Sequence, residues 1–361
     1  MKGAGAALPS HRAVPRHSGG IRQSSGVRGR EPAAGGRATG LCGPARSVAL
    51  SSPPMASATT LRIALIALAC AVPSTAQDKK PARVECRFEF LTEATKATKS
   101  LVLTVVVPGD WPGRQKLLEE TFEPRPTELL VENGTRYARF ELEPPFDGRK
   151  ITISSVLELR APGLGVPKRK EGEDDGGADP RWLEAEKGIE LEDPAIREMA
   201  QGLKGKKPQD VARSAAEQAS ATLRSSGYDP VDKGAAAALE AKAGDCSEFS
   251  DLMVALLRVR QVPARRVGGL ITEWRDTPKH GWVEAHIAGG GWTMFDPIRG
   301  KTSPDKMNGP NATYIWLTPI RNDDRLAGYG YYHFGARGGV AKVVGTVFLR
   351  TGRQPERSAP L

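Results

Sequence analysis

Cysteine and histidine are both scarce in this chain, with four of one and five of the other in 361 residues. Only His280, His286 and His333 lie beyond residue 76, and they are too dispersed to converge on a metal, which needs several His, Cys or carboxylate ligands together. The chain therefore reads as having no metal site and no cofactor. Long apolar runs are absent too: the longest, Ile63–Val72, is too short to span a bilayer. No internal period marks a solenoid. A one-signed charge is missing from most of the chain, despite a net charge of +10. Residues 1–54 hold eight Lys/Arg against the single acid Glu31, whereas residues 77–361 hold 43 basic and 41 acidic residues. With the body near neutrality, and no interleaving of basic and aromatic side chains, a nucleic-acid partner is excluded.

What the N-terminus does contain is Gly, Ala, Arg, Ser and Pro, with few large apolar residues. Such a segment cannot bury enough surface to offset chain entropy, so residues 1–54 read as a disordered leader. Met55–Arg62, the apolar run Ile63–Val72 and the small residues Pro73–Ala76 then form the three parts of a secretory signal peptide over 55–76. Because such signals begin near an N-terminus, Met55 is the expected start of translation, with 1–54 not translated. A genuine basic leader ahead of an anchor is the rival reading. Ala67-Leu68-Ala69 before Cys70 matches a lipoprotein site poorly. The expected product begins at Gln77, is secreted or periplasmic, and has no stable membrane insertion once the signal is cleaved.

Residues 77–160 read as a small antiparallel β-sandwich domain. Val84, Cys86, Phe88 and Phe90 alternate with polar neighbours, the period of a half-buried strand. Leu101–Val107 and Ile151–Leu159 are β-rich runs, and Asn133-Gly134 between Glu128–Glu132 and Thr135–Leu142 is a strong hairpin signal. Cys86 and Cys246 share an oxidising compartment and so have the chance to pair. Cys86 on an alternating strand instead reads as a small buried thiol. Residues 161–180, rich in Gly, Pro and charge, read as a linker. Helical composition over 194–204 and 209–225 opens a second domain, 181–350. Tyr314–Leu317 and Val340–Leu349 are expected to complete its sheet, and 351–361 to be a disordered tail. The run Gly328–Gly335, alternating glycine with aromatics, is either a loop over a cleft or a packed turn.

The chemistry concentrates at Gly244-Asp245-Cys246-Ser247-Glu248. Asp245 is a good N-cap and Glu248 completes the spacing of a capping box. Phe249, Leu252, Met253, Leu256 and Val259 then recur at helical intervals, and Pro263 ends the run. Cys246 thus falls at the first position of an amphipathic helix, where free N–H groups and the helix dipole favour a thiolate. On its own this residue is equally a structural buried thiol. Downstream, Ala264–Trp274 reads as a strand, and His280–Ile287 and Trp292–Pro297 read as a hairpin across Gly289–Gly291. His280 and Asp296 are equidistant from residue 288, which brings them close if the register holds to a residue or two. Thiol, imidazole and carboxylate in that arrangement are the nucleophile, base and orienter of an acyl-transfer enzyme. His286 has no companion ligands. Trp282 and Trp292 read as core rather than substrate contacts.

These blocks (Gly-Asp-Cys246-Ser-Glu-Phe, Leu-Leu-Arg258, Val-Pro-Ala-Arg265, His280-Gly-Trp282-Val-Glu, Gly-Trp292 and Phe-Asp296-Pro297) resemble the core of the transglutaminase-like superfamily. Three details depart from the family pattern: Gln261 where Gly is usual, Gly281 where Ala is common, and His286 where an aromatic is common. The resemblance implies an α+β fold, a papain-like core of helices packed on an antiparallel sheet, with Cys246, His280 and Asp296 as catalytic triad. An upstream aromatic, Tyr228 or Trp182, is implied as a side-chain donor to the oxyanion. The expected activity is hydrolysis of peptide or isopeptide amides, with a protein or peptide substrate, the cell envelope being one source. The alternatives are an amine-accepting, cross-linking transglutaminase and a non-catalytic binding scaffold of the same fold.

Overall fold

The computed structural model describes residues 81–160, 178–273, 279–287, 291–307, 313–328, 330–352 and 355–361. The expected leader, the signal peptide and most of the expected linker lie outside the described residues. Six strands come first: β1 (Ala82–Ala94), β2 (Ser100–Val106), β3 (Gln115–Glu123), β4 (Glu128–Glu132), β5 (Thr135–Leu142) and β6 (Lys150–Leu159). Next are helices α1 (Pro194–Gln201) and α2 (Pro208–Thr222), strand β7 (Arg224–Ser225), helix α3 (Ala235–Ala241), strand β8 (Ala243–Gly244) and helix α4 (Cys246–Val259). The chain closes with β9 (Ala264–Ile271), β10 (Lys279–Ile287), β11 (Gly291–Phe295), β12 (Tyr314–Thr318), β13 (Tyr332–Arg337), β14 (Ala341–Thr351) and β15 (Arg357–Pro360).

Two sheets, ordered β15-β14-β1-β6-β3 and β13-β2-β5-β4, form a β-sandwich. Alternation along β1 sends Val84, Cys86, Phe88 and Phe90 inward, and all are buried. They meet Leu101, Leu103, Phe140, Ile151 and Val347 in one core. Asn133 and Gly134 both take positive φ (51° and 80°), which a tight turn between β4 and β5 requires.

Two expectations are corrected here. Residues 340–349 do not complete the sheet of the second domain. As β14 they pair antiparallel with β1, Phe88 opposite Val347, and β13 pairs with β2. The tail is also not disordered throughout, since β15 pairs with β14 and buries Ala359. A half-buried strand alternates in the same way whichever sheet it joins, so the pattern of 340–349 carried no choice between the two.

The second sheet system, β11-β10-β9-β12, packs against α4. This helix is buried along nearly its whole length, from Ser247 to Arg258. Val254, Leu257 and Phe249 meet α1, α2, α3 and the inward residues Val283 and Ala285 of β10. Its C-terminus closes with paired bonds, Gln261 N–H to Arg258 O (3.0 Å) and Val262 N–H to Leu257 O (2.9 Å). That pattern is a Schellman motif, which needs a left-handed residue at Gln261, and φ there is 58°. Gln261 thus does at conformational cost what the Gly usual in the family would do freely.

Candidate active site

Local sequence places the thiol. Asp245 caps α4, its side chain accepting from Ser247 N–H at 2.7 Å, and Glu248 Oε2 accepts from Asp245 N–H at 2.9 Å. The cap is itself anchored by the loop before α3: Asp245 Oδ2 accepts from Asp229 N–H (3.0 Å) and Glu248 Oε1 from Lys233 N–H (2.9 Å). With these donors engaged, the Cys246 N–H has no partner among the described residues. Its thiol, half-buried, stands at the first helical position as expected.

The structure brings the other two expected residues to this point. His280 Nε2 bonds Asp296 Oδ2 at 2.8 Å, with both side chains fully buried, and Cys246 lines the same cleft as the imidazole. The hairpin register differs by two residues from the symmetric one, because the connection spans 288–290 and Ile287 pairs with Gly291. Val283 pairs with Phe295, which puts Asp296 across from Trp282 and diagonal to His280. Burial disfavours a charged imidazole, but the Asp296 carboxylate and the Cys246 sulfur outweigh it and raise the His280 pKa to about 9. Burial likewise pushes the Asp296 carboxyl up, and the His280 charge and hydrogen bond, joined by Tyr314, bring it below its ordinary value.

Several neighbours went unrecognised in the sequence. Tyr314 donates its hydroxyl to Asp296 Oδ2 at 2.7 Å. Arg266, whose neighbour Arg265 carried the family motif, is the arginine at the thiol. It donates to Ser247 Oγ (3.0 Å) and Asp232 (3.0 Å), and lies near buried Asp251, which Arg321 holds through two 2.8 Å bonds. Burial opposes the Arg266 charge, and Asp251 and Asp232 reverse that effect and hold it firmly protonated. Arg265 points to the opposite face, bonding buried Glu284 at 2.7 Å with its guanidinium over Trp292. Two adjacent arginines on one strand necessarily serve two faces.

Trp282 is fully buried against Tyr314 and Trp316, as a core residue should be. Trp182 sits edge-on to Trp292, away from the thiol, while Tyr228 lines the cleft with its hydroxyl 3.3 Å from Lys279 Nζ. Of the two aromatics, only Tyr228 is beside Cys246. His286 packs edge-on to Trp292, and no group of three or more His, Cys, Asp or Glu suited to a metal occurs among the described residues. Cys86 is a free thiol inside the sandwich core, and burial pushes its pKa up.

The cleft, about 580 Å³, has Cys246, His280 and Arg266 on one side. Its other wall comes from the sandwich: Gly328, Gly330, Tyr331, Tyr332, His333 and Phe334. The aromatic–glycine run is therefore cleft lining and, from Tyr332, a strand. The Tyr331 hydroxyl donates to Gly269 O at 2.7 Å and lies 3.3 Å from His280 O, tying the two walls together.

Residues 197–297, which contain all three of these side chains, match the transglutaminase-like superfamily. This segment is a transglutaminase-like core. An uncharacterised protein of Bacillus subtilis (strain 168), YebA, is 37% identical over 79 residues, covering 18% of this chain. That alignment spans only 11% of the relative's own length. A crystal structure described as a candidate cysteine protease of Cytophaga hutchinsonii is similar with a TM-score of 0.52 at 14% identity, covering 78% of this chain and 98% of that one. The likeness shows that the core and its β-sandwich form a fold shared beyond this chain. The periplasmic domain of TgpA from Pseudomonas aeruginosa is also similar, with a TM-score of 0.35 and 15% identity over 65% of this chain and 92% of that one. The transglutaminase-like core thus sits in a mixed helix-and-sheet fold with antiparallel sheets.

Proposed function

We propose that this protein is a secreted or periplasmic thiol hydrolase that cleaves peptide or isopeptide amides through Cys246, His280 and Asp296. The observation that carries the reading is the buried 2.8 Å bond from His280 Nε2 to Asp296, with a thiol at a helix N-terminus lining the same cleft as the imidazole. His280 takes the thiol proton, and Cys246 Sγ attacks the amide carbonyl carbon. The tetrahedral oxyanion receives the unpartnered Cys246 N–H, with the Tyr228 hydroxyl as the side-chain donor within the cleft. A positioned donor of this kind contributes roughly 3 kcal/mol to the barrier. As the C–N bond breaks, imidazolium returns its proton to the leaving amine, which leaves a thioester on Cys246. Water, deprotonated by His280, then attacks the thioester and releases the acid. Asp296 keeps the imidazole in the required tautomer throughout. The cleft mouth supports water as acceptor, since Tyr228, Asp229, Asp232 and Lys279 make it polar and open to solvent.

The test has two parts. Cys246 should alkylate rapidly with iodoacetamide near pH 6, and His280→Ala should slow it; labelling only at high pH sinks the enzyme reading. Casein with dansylcadaverine then reads the acceptor: new peptide termini without dansyl incorporation fit hydrolysis, and dansylated casein identifies a cross-linking transglutaminase.

A further inference from the structure

The wall of the cleft opposite Cys246 ends in an open sheet edge. Strand β13 is the outermost strand of its sheet, hydrogen-bonded to β2 on one side only. Its pairing parity is defined by the bond from Val106 N–H to Tyr331 O at 2.8 Å, with Tyr332 opposite Val105 and Phe334 opposite Leu103. Antiparallel bonding alternates along a strand. Residues 333 and 335 therefore bond toward β2, and the N–H and C=O groups of Tyr332, Phe334 and Ala336 point outward. Among the described residues those outward groups have no backbone partner.

This edge lies in the cleft itself. Tyr332 and Phe334 line the cleft that holds Cys246 and His280, and Tyr331, immediately before the strand, reaches the His280 carbonyl with its hydroxyl. The other outer strands, β3, β15, β4, β11 and β12, contribute none of their residues to that lining. An unpaired edge is a template for another strand, and strand addition is a recurring mode of peptide recognition.

We infer that the substrate enters as an extended peptide added to β13, its main chain bonded to Tyr332 and Phe334, so that the sandwich presents the scissile amide to Cys246. The inference rests on Cys246 being an acylating thiol. Main-chain bonding to a sheet edge recognises extended conformation rather than side chains. The substrate class is therefore unfolded or exposed linear segments of polypeptide, with folded surfaces excluded by the walls on either side. Nothing in this scheme needs the sandwich to move, because Tyr331 already ties β13 to β9 and β10.

The experiment uses the whole protein and acetyl-tetraalanyl chloromethyl ketone, with chloroacetone as the same electrophile lacking a peptide. Labelling forms a thioether at Cys246 Sγ with loss of chloride and is followed by intact mass. The peptide reagent should label at least about tenfold faster than chloroacetone. Single N-methylation along the tetraalanyl segment should slow it about tenfold at alternate residues and little at those between, as loss of one hydrogen bond per outward-facing amide predicts. Phe334→Pro removes one outward N–H at a position where an edge strand tolerates proline, and should erase one step of the alternation. Should that variant not fold by circular dichroism, the N-methyl series on the unaltered protein decides alone. No advantage of the peptide over chloroacetone, or equal slowing at every residue, overturns strand addition while leaving the thiol enzyme intact. A dimer in gel filtration that labels at the chloroacetone rate would assign the edge to a second copy and overturn it as well. Failure of Cys246 to react with chloroacetone at all overturns the acylating thiol itself.

Discussion

Tyr314 and His280 meet on a single atom: both hydrogen-bond Asp296 Oδ2, at 2.7 and 2.8 Å, inside a fully buried site. The carboxylate is thereby held from two directions, and the imidazole orientation depends on a phenol 34 residues downstream in the chain. Tyr314→Phe should leave the fold intact and slow Cys246 alkylation or amide turnover roughly tenfold, the size of one hydrogen bond to a charged group. Asp296→Asn should cost far more, up to about 10⁴-fold, because it also loses the tautomer. Rates for the two variants measured side by side decide this; an unchanged Tyr314→Phe rate would remove the tyrosine from the site's machinery.

Stability should depend on pH through the same pair. His280 titrates near 9 in the folded protein, above its ordinary value of 6.5. A raised folded pKa means that the stabilisation is fully present below about 6.5 and lost as pH climbs through about 9. Asp296 is shifted downward, so its share is present above the ordinary carboxylate value and lost on acidification. Urea unfolding of the wild type should therefore weaken between about pH 7 and pH 10. In Asp296→Asn the alkaline loss should shrink, because the larger of the two groups that oppose burial of the imidazolium is gone and only the Cys246 sulfur remains. Parallel curves for the two proteins would contradict the shift.

Arg266 ties the thiol helix, through Ser247 and buried Asp251, to Asp232 in the loop before α3. Arg266→Met would remove the cation beside Asp232 and Asp251, and since Arg321 still holds Asp251 the loss should be about 3 kcal/mol, the lower end for breaking a buried ion pair. Arg266→Lys should recover part of the stability and less of the alkylation rate, because one ammonium cannot span Ser247 and Asp232 as the guanidinium fork does. Denaturation and labelling measured on both variants separate these two effects.

The C-terminal turn of α4 offers a stabilising change. Gln261→Gly would relieve a left-handed residue in a Schellman motif, offset by the extra freedom of glycine in the unfolded chain. A net gain of about 0.5–1 kcal/mol is expected, read as a Tm rise of a few degrees without change in activity. A fall in Tm would mean that the bond of the Gln261 side chain to Arg258 O at 3.4 Å matters more than the backbone.

The core of the site was legible because its signals are local. The cap at Asp245, the capping-box acid Glu248 and the apolar interval from Phe249 to Val259 all lie within one helix. The glycines at 289–291 marked the hairpin that brings His280 near Asp296, although the loop position shifted the register by two residues. Tyr314 was invisible because a long connection separates it from Asp296. Arg266 was hidden by its neighbour, since period-two alternation says that Arg265 and Arg266 face opposite ways but not which way the helix lies. Strand alternation also identified β14 as a strand without naming its partner, β1, some 250 residues away in the chain.

That long-range pairing has a consequence for the order in which the molecule is made. Strands from before residue 160 and after residue 331 build one sandwich, so the thiol core is an insertion within it. During synthesis β1 and β2 emerge early and can pair with β6 and β5, while their other edges wait for β14 and β13 to leave the ribosome. Helix α4 and the β9–β11 strands are complete before then, and the aromatic wall of the cleft comes afterwards. The thiol is thus assembled first and the surface facing it last. A nascent chain cannot have the complete cleft until nearly all of its residues have been made.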